Sequence, residues 1–280
     1  MSDQRTGIEE AMALSEAPTN ARPEVCAIVV CFNEEQRIGA CLDSLRWCDE
    51  IVVVDSFSTD RTPEICRNYT DRFFQRPWSG YRDQKAHAHS LATKDWVLMI
   101  DADERVSAHL RQEILDALQR DGEKYAGYSV PRLVHYLGRW WWRGEWYPDY
   151  DIRLFRRERA TWAGTEPHEK IIVDGKVRRL KHPLEHFTYR SMDDHFQRLN
   201  RYSSISANEN RKAGRRWRLS DALLRPWVRF VRSYIIKRGF MEGFAGFYVA
   251  VASAVYVFLK YAKLWELELE EKRKVHQRRT

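Results

Sequence analysis

Trp96-Val97-Leu98-Met99-Ile100-Asp101-Ala102-Asp103-Glu104 passes from five apolar residues directly into a run holding three carboxylates. Such an apolar run suits a strand covered on both faces, as in a parallel sheet. Asp101 and Asp103 lie two apart, so an extended backbone points both to one side. The same apolar-then-polar punctuation occurs twice upstream. Val25 to Cys31 is followed by Asn33-Glu34-Glu35, and Ile51 to Val54 ends in Asp55-Ser56-Phe57-Ser58-Thr59-Asp60. Between the strands, Ile38, Leu42 and Leu45 keep helical spacing. Asp60 or Thr62 can cap a second helix with Pro63 in its first turn. Phe73-Phe74 suggests a short strand, Tyr81 to Ala92 a helix, and Ser107 the cap of a helix reaching about Gln119. Strands and helices that alternate over short connections predict a doubly wound α/β domain, mostly parallel, with helices on both faces. Ligands of such sheets sit beyond the carboxyl ends of the strands, where all three polar clusters fall.

At 280 residues, with 44% hydrophobic and 31% charged, the chain has the composition of a folded protein and not of a disordered one. The net charge of +7 favours anionic partners, phosphate groups or an acidic membrane surface. Nucleic acid is not an expected partner, because no nucleic-acid-binding motif accompanies the surplus. Cys26, Cys31, Cys41, Cys48 and Cys66 form no CxxC pair and are expected as free thiols in a reducing compartment. The polar leader, residues 1–22, has no apolar core and reads as a disordered segment, not a signal peptide.

The middle of the chain, about Tyr125 to Tyr189, is rich in Trp and Tyr, alternates in Lys170 to Val177 and turns at Asp174-Gly175. Mixed sheet and loops over the site are expected there. Trp140, Trp141, Trp142, Trp146 and Tyr147 concentrate aromatic faces that can stack on a ligand ring, although three consecutive Trp cannot all face one way. Residues 23–190 therefore read as one domain, with a first half (23–120) and a second half (121–190). Residues 191–280 read as a basic helical region. Arg215 to Arg238 interleaves arginine with Trp217, Leu219, Leu223, Leu224, Trp227, Phe230 and Ile235, and Phe240 to Leu259 carries only Glu242 as a charge. That pattern suits a helix packed at or shallowly within the inner leaflet, with a true span and a buried domain helix as the other readings.

Taken together, Ile28 to Glu35, Val52 to Asp60 and Trp96 to Glu104 resemble the opening loop, the nucleoside-binding turn and the metal-binding strand end of the family 2 glycosyltransferases, which have the GT-A fold. Arg76 to Tyr81, Gln84-Lys85, Asp101 to Ser107, Arg153 to Arg157 and His168-Glu169 are similar to bacterial lipopolysaccharide-core glucosyltransferases of the WaaE/KdtX kind. Two departures stand out. Phe57 occupies a position that is usually glycine, and Ala86 one that is usually asparagine.

The resemblance implies an inverting transferase that moves a hexose, glucose from UDP-glucose, onto a lipid-linked glycan such as lipopolysaccharide core. It implies a divalent cation, Mg²⁺ or Mn²⁺, which suits oxygen ligands and neutralises a diphosphate leaving group. It also places the enzyme in the cytoplasm, peripheral at the inner membrane. Nucleotide-sugar contacts are expected from Asn33, Glu34, Asp55, Ser56, Lys85, Asp101 and Ala102, with Asp103 on the metal and Lys85 facing the diphosphate. Glu169 is the implied base for the acceptor hydroxyl, with Glu166 and Asp151 as alternatives. Arg153 and Arg156 are a candidate pyrophosphate clamp, and His186 a candidate further metal ligand. Three other functions compete. Transfer to polyprenyl phosphate needs no strong base, and neither does a nucleotide-binding membrane scaffold. A nucleotidyltransferase lacks support because no Gly-rich loop follows the first strand.

Overall fold

A computed structural model describes residues 22–165 and 168–277. The leader up to residue 21 and Glu166 lie outside the described residues, whereas Arg22 is tied to Asp49 at 2.7 Å. The first half of the chain holds β1 (Val25–Cys31), α1 (Ile38–Asp43), β2 (Glu50–Asp55), α2 (Thr62–Arg67), β3 (Phe73–Gln75), α3 (Tyr81–Leu91), β4 (Trp96–Asp101), β5 (Glu104–Arg105) and α4 (Ala108–Asp121). β3, β2, β1 and β4 lie side by side and parallel. The alternation along β1 explains why its whole run is apolar. Val25, Ala27 and Val29 pack with Ile38, Leu42, Leu110 and Ile114 on one face, while Cys26 and Ile28 pack with Ala88 and Ile171 on the other. Burying each large aliphatic side chain contributes about 1.5–3 kcal/mol. Ser107 caps α4 by accepting from the Leu110 amide. Asp60 caps α2 from one residue before its N-cap, its Oδ1 accepting the amide of Thr62 at 3.0 Å. Asp60 Oδ2 and Thr62 Oγ1 also accept amides of the first loop, from Glu35 at 3.1 Å and Glu34 at 2.8 Å, and so lock the first two strand ends together.

Then follow β6 (Gly127–Tyr136), β7 (Arg139–Trp141), β8 (Asp149–Arg156), β9 (Ala160–Thr165), β10 (His168–Val173), β11 (Val177–Arg179) and β12 (Leu184–His186). β8 joins the sheet antiparallel to β4, β6 antiparallel to β8, and β12 runs between β6 and β5. The parallel order thus holds for β1 to β4 only, and the remainder is mixed. β9 and β10 form a separate hairpin. The tryptophans divide as the pleat requires: Trp141 is buried, Trp142 exposed and Trp140 half-buried.

The C-terminal region is helical: α5 (Met192–Lys212), α6 (Leu219–Val231), a π-helical turn (Arg232–Ile236), a 3-10 turn (Gly239–Glu242) and α7 (Gly243–Gln277). Gly246 makes the bend between α6 and α7 tight, since a Cβ there would overlap the Gly239 carbonyl oxygen. Glu242, buried at this bend, is held by Arg139 and Arg143. An aromatic knot joins α5 and α7 to the sheet. His195 stacks on Tyr189 at 4.1 Å, its Nδ1 lies 3.0 Å from the Tyr248 hydroxyl, and Tyr248 meets Tyr136 at 3.3 Å. Burial pushes His195 down to about 4, so it folds neutral. Protons taken up in acid therefore favour the unfolded chain. The stability it contributes is intact above about pH 6.5 and is lost as pH falls towards 4, a cost of up to about 3 kcal/mol. The thermal midpoint should drop over that interval, and less so in His195→Phe; an identical acid decline in the variant would remove His195 from this role.

Candidate functional site

Register brings the polar clusters together. Cys31 lies opposite Asp55 on one side, and Val30 opposite Asp101 on the other, so the ends of β1, β2 and β4 share one edge. The first two loops form a braced unit. Asn33, with positive φ, accepts the Thr59 amide at 2.9 Å, and its own amide donates to Ser58 Oγ at 2.8 Å. Asp55 is fully buried and accepts from the Ser58 amide, the Ser58 hydroxyl and Gln75 Nε2. Its carboxylate thus shapes the turn from within. Ser56 accepts from Gln84, which also donates to the carbonyls of Arg76 and Pro77.

At the end of β4, two buried cations divide the carboxylates. Lys85 on α3 is 5% exposed and bridges Asp101 at 2.9 Å and Glu169 of β10 at 2.8 Å. Lys85 therefore faces two carboxylates, where the diphosphate was expected. Arg153 on β8 binds Glu104 at 2.7 Å and the second oxygen of Asp101 at 3.2 Å. Burial alone would raise Asp101, but Lys85 and Arg153 hold its carboxyl well below the usual range. Burial raises Glu104 despite the Arg153 charge. Glu169 offers its Oε1 to Lys85, and its Oε2 is buried with no partner. Asp151, two residues before Arg153, is half-buried on the same strand.

Asp103 faces another set. His186 Nε2 lies 3.5 Å from its Oδ1, because β12 pairs with β5 and the Phe187 amide donates to the Asp103 carbonyl. Arg37, the N-cap residue of α1, lies 3.5 Å from its Oδ2, and Arg198 of α5 4.0 Å. Burial opposes ionisation of Asp103, yet His186 and Arg198 help hold its pKa below the ordinary value. Glu34 joins this end, with Arg190 at 3.4 Å; burial and then Asp103 raise its pKa. Ala102, 6% exposed, separates the two carboxylates. Among the described residues, no three His, Cys, Asp or Glu side chains gather as a self-sufficient metal site. Asp103 and His186 nevertheless suit Mg²⁺ or Mn²⁺, which commonly take few protein ligands and complete their shell with phosphate oxygens and water.

The expected arginine clamp does not form. Arg153 is 1% exposed and spent on Glu104 and Asp101. Arg156 lies at the opposite end of the sheet, beside the start of β4, with its guanidinium over Trp96 and donating to the Gly122 carbonyl. Residues three apart on a strand face opposite ways, so one ligand could not hold both. Arg37 and Arg198 supply the guanidinium groups near Asp103 instead, with Arg190 on Glu34. Nothing in the sequence singled them out, because they come from a helix start, a loop and a helix beyond the sheet. Glu104 was visible as part of the acidic run, but its buried pairing with Arg153 was not.

The arrangement can be set beside known proteins. Residues 26–180 match the family model described as Glycosyl transferase family 2. A lipopolysaccharide core biosynthesis glycosyltransferase of Rhizobium meliloti, LpsC, is 34% identical over 247 residues, covering 86% of this chain and 91% of that one. An uncharacterized glycosyltransferase of Rickettsia typhi is 31% identical over 263 residues, 89% of each. A mannosyltransferase from Pyrobaculum calidifontis, solved in complex with GDP-Man and Mn²⁺, is alike in fold, with a TM-score of 0.51 over 90% of each chain at 16% identity. With these matches, a GT-A sheet and an acidic strand end in the expected place, the chain belongs to glycosyltransferase family 2.

Proposed function

We propose that the protein is an inverting, metal-dependent hexosyltransferase that moves glucose from UDP-glucose onto a lipid-linked glycan of the lipopolysaccharide core. It would act at the cytoplasmic face of the inner membrane. The observation that carries this reading is the buried, unpartnered Oε2 of Glu169, set beside Lys85 and Asp101 at the strand end. A carboxylate oxygen left free beside this ion pair is what a transferase needs to take a proton from the attacking hydroxyl. The choice of glycan follows the description of the Rhizobium meliloti relative. An acceptor phosphate would arrive already deprotonated, so this arrangement favours a hydroxyl over polyprenyl phosphate.

In this mechanism the acceptor hydroxyl gives its proton to Glu169 as its oxygen bonds to the anomeric carbon, and the bond to the nucleoside diphosphate breaks. Lys85 positions Glu169 and keeps Asp101 ionised. Arg37 and Arg198 face the departing diphosphate, the role first assigned to Arg153 and Arg156. Asn33, Glu34, Asp55 and Ser56 shape the nucleoside end. Asp103 and His186 would hold a divalent cation, which when bound offsets charge on the leaving group. Residues 23–120 serve the donor, 121–190 the acceptor, and 191–280 the membrane, with Arg198 reaching back to the donor end.

A panel of nucleotide-sugars with Mn²⁺ or Mg²⁺, read by thermal stabilisation and nucleoside diphosphate release, tests the proposal. UDP-glucose with metal should stabilise the protein and support release, and chelation should abolish both. Asp103→Asn should weaken apparent metal affinity by about tenfold or more, since even outer-sphere partners of metals are worth that much. Release of free diphosphate in place of nucleoside diphosphate would instead indicate nucleotidyl transfer.

A further inference from the structure

We infer that α6 and the outer stripe of α7 form a plate that lies in one leaflet of an anionic bilayer, without spanning it; this rests on the lipid-linked acceptor proposed above. A helix on a water-soluble protein turns its apolar arc inwards. α6 does the reverse. Leu223, Leu224, Trp227 and Val228 recur at helical spacing and are 58% to 65% exposed, while Ala222 is its buried residue. Its charged side is the one turned to protein: Arg225 lies over the ring of Tyr261 on α7 at 5.7 Å, and Arg229 pairs with Glu145 at 3.0 Å. The surface continues onto α7, where Phe244 is 78% and Phe247 42% exposed. Contiguous apolar surface of this kind marks an interaction site.

Charge identifies the occupant. Arg216 and Arg218 stand exposed before this arc, and Arg232 and Arg238 after it. An apolar face bordered by arginines matches the headgroup and acyl boundary of an anionic leaflet, where such helices sink about 5–10 Å. A second apolar protein surface would not call for the arginines.

A span is excluded by what is bolted to α7. Gly239–Lys274 is long and apolar enough to cross a bilayer, but α5 is fastened along it. Tyr256 meets Ser206 at 2.8 Å, Lys263 reaches Asn200 at 2.6 Å and Ser203 at 2.8 Å, and Arg211 donates to Glu271 at 2.7 Å. Inserting α7 would draw in α5 with Arg211, Lys212 and Glu209. Each charge at bilayer depth costs about 2.5–3.5 kcal/mol or more. Lying flat, the plate keeps α5 on the aqueous side.

The test uses the full chain and vesicles of phosphatidylglycerol with phosphatidylethanolamine, compared with phosphatidylcholine alone, at about 0.1 M salt. The chain should sediment with the anionic vesicles, and Leu224→Ser/Trp227→Ser should lower that partition at least about tenfold, given the apolar area each side chain removes from water. Far-UV circular dichroism and UDP-glucose stabilisation should be unchanged in the double variant, separating lost docking from lost folding. A variant that partitions like the wild type overturns the inference. So does a wild-type chain that ignores vesicles and elutes as a dimer, with the double variant a monomer, because the face would then join two copies. In inside-out membrane vesicles from expressing cells, a C-terminal tag should be digested by added protease; a protected tag would mean a span. Vesicle binding without any sugar transfer would instead count against the proposed activity while leaving the plate intact.

Discussion

Glu169→Gln should lower sugar transfer by about a thousandfold, within the range that a general base contributes, while leaving nucleoside diphosphate affinity near the wild-type value. The substitution preserves size and shape, so Lys85 keeps a hydrogen-bonding neighbour beside its 2.9 Å contact with Asp101. What disappears is an oxygen able to take a proton, at the position where Glu169 Oε2 is buried and unpartnered. Single-turnover transfer and calorimetric binding of UDP separate the two effects. A variant that stays largely active would shift the role to Asp151, which shares a strand with Arg153, or to Glu166.

Arg153→Leu should cost about 3–5 kcal/mol of stability, because removing one partner of a buried ion pair strands the other charge. The stranded group is Glu104, fully buried and 2.7 Å from the guanidinium. A thermal midpoint lower by about 10 °C is the expected reading. Arg153→Leu/Glu104→Leu should recover much of that loss, since the double variant buries no unpaired charge. The opposite pattern, an unchanged midpoint with collapsed UDP-glucose affinity, would return Arg153 to the phosphate clamp that the sequence suggested.

These two residues also show what could be read from the sequence. The strand ends were legible because each buried run of β-branched or large apolar residues stops at a polar cluster, and parallel register then places the clusters side by side. The resemblance pointed to Glu169, Lys85 and the acidic pair, and the fold brings Glu169, Lys85 and Asp101 into contact. What the carboxylates and cations do to one another was not legible, since it depends on pairings distant along the chain. Asp103 meets His186 through a two-residue ladder between β5 and β12. Arg198 belongs to a helix placed beyond the catalytic domain when only sequence was considered. For Arg153 and Arg156 the pleat already held the answer. Their spacing of three matches a helix face but splits across a strand, and Leu154 and Phe155 marked that segment as a strand. The exposed arc of α6 could not be recognised from its pattern alone, because an amphipathic helix reads the same whether its apolar side meets protein or lipid.

α5 touches both ends of the molecule. Arg198 reaches Asp103 within the site, and Arg211 holds Glu271 on the far part of α7. A 21-residue helix is a strut of about 30 Å, with no flexible linker between Asp103 and the exposed arc proposed to meet lipid. On the proposed docking, the carboxylates of the site would stand at a set height above the bilayer, and the enzyme would work with a fixed reach, as a tool on a rigid arm does.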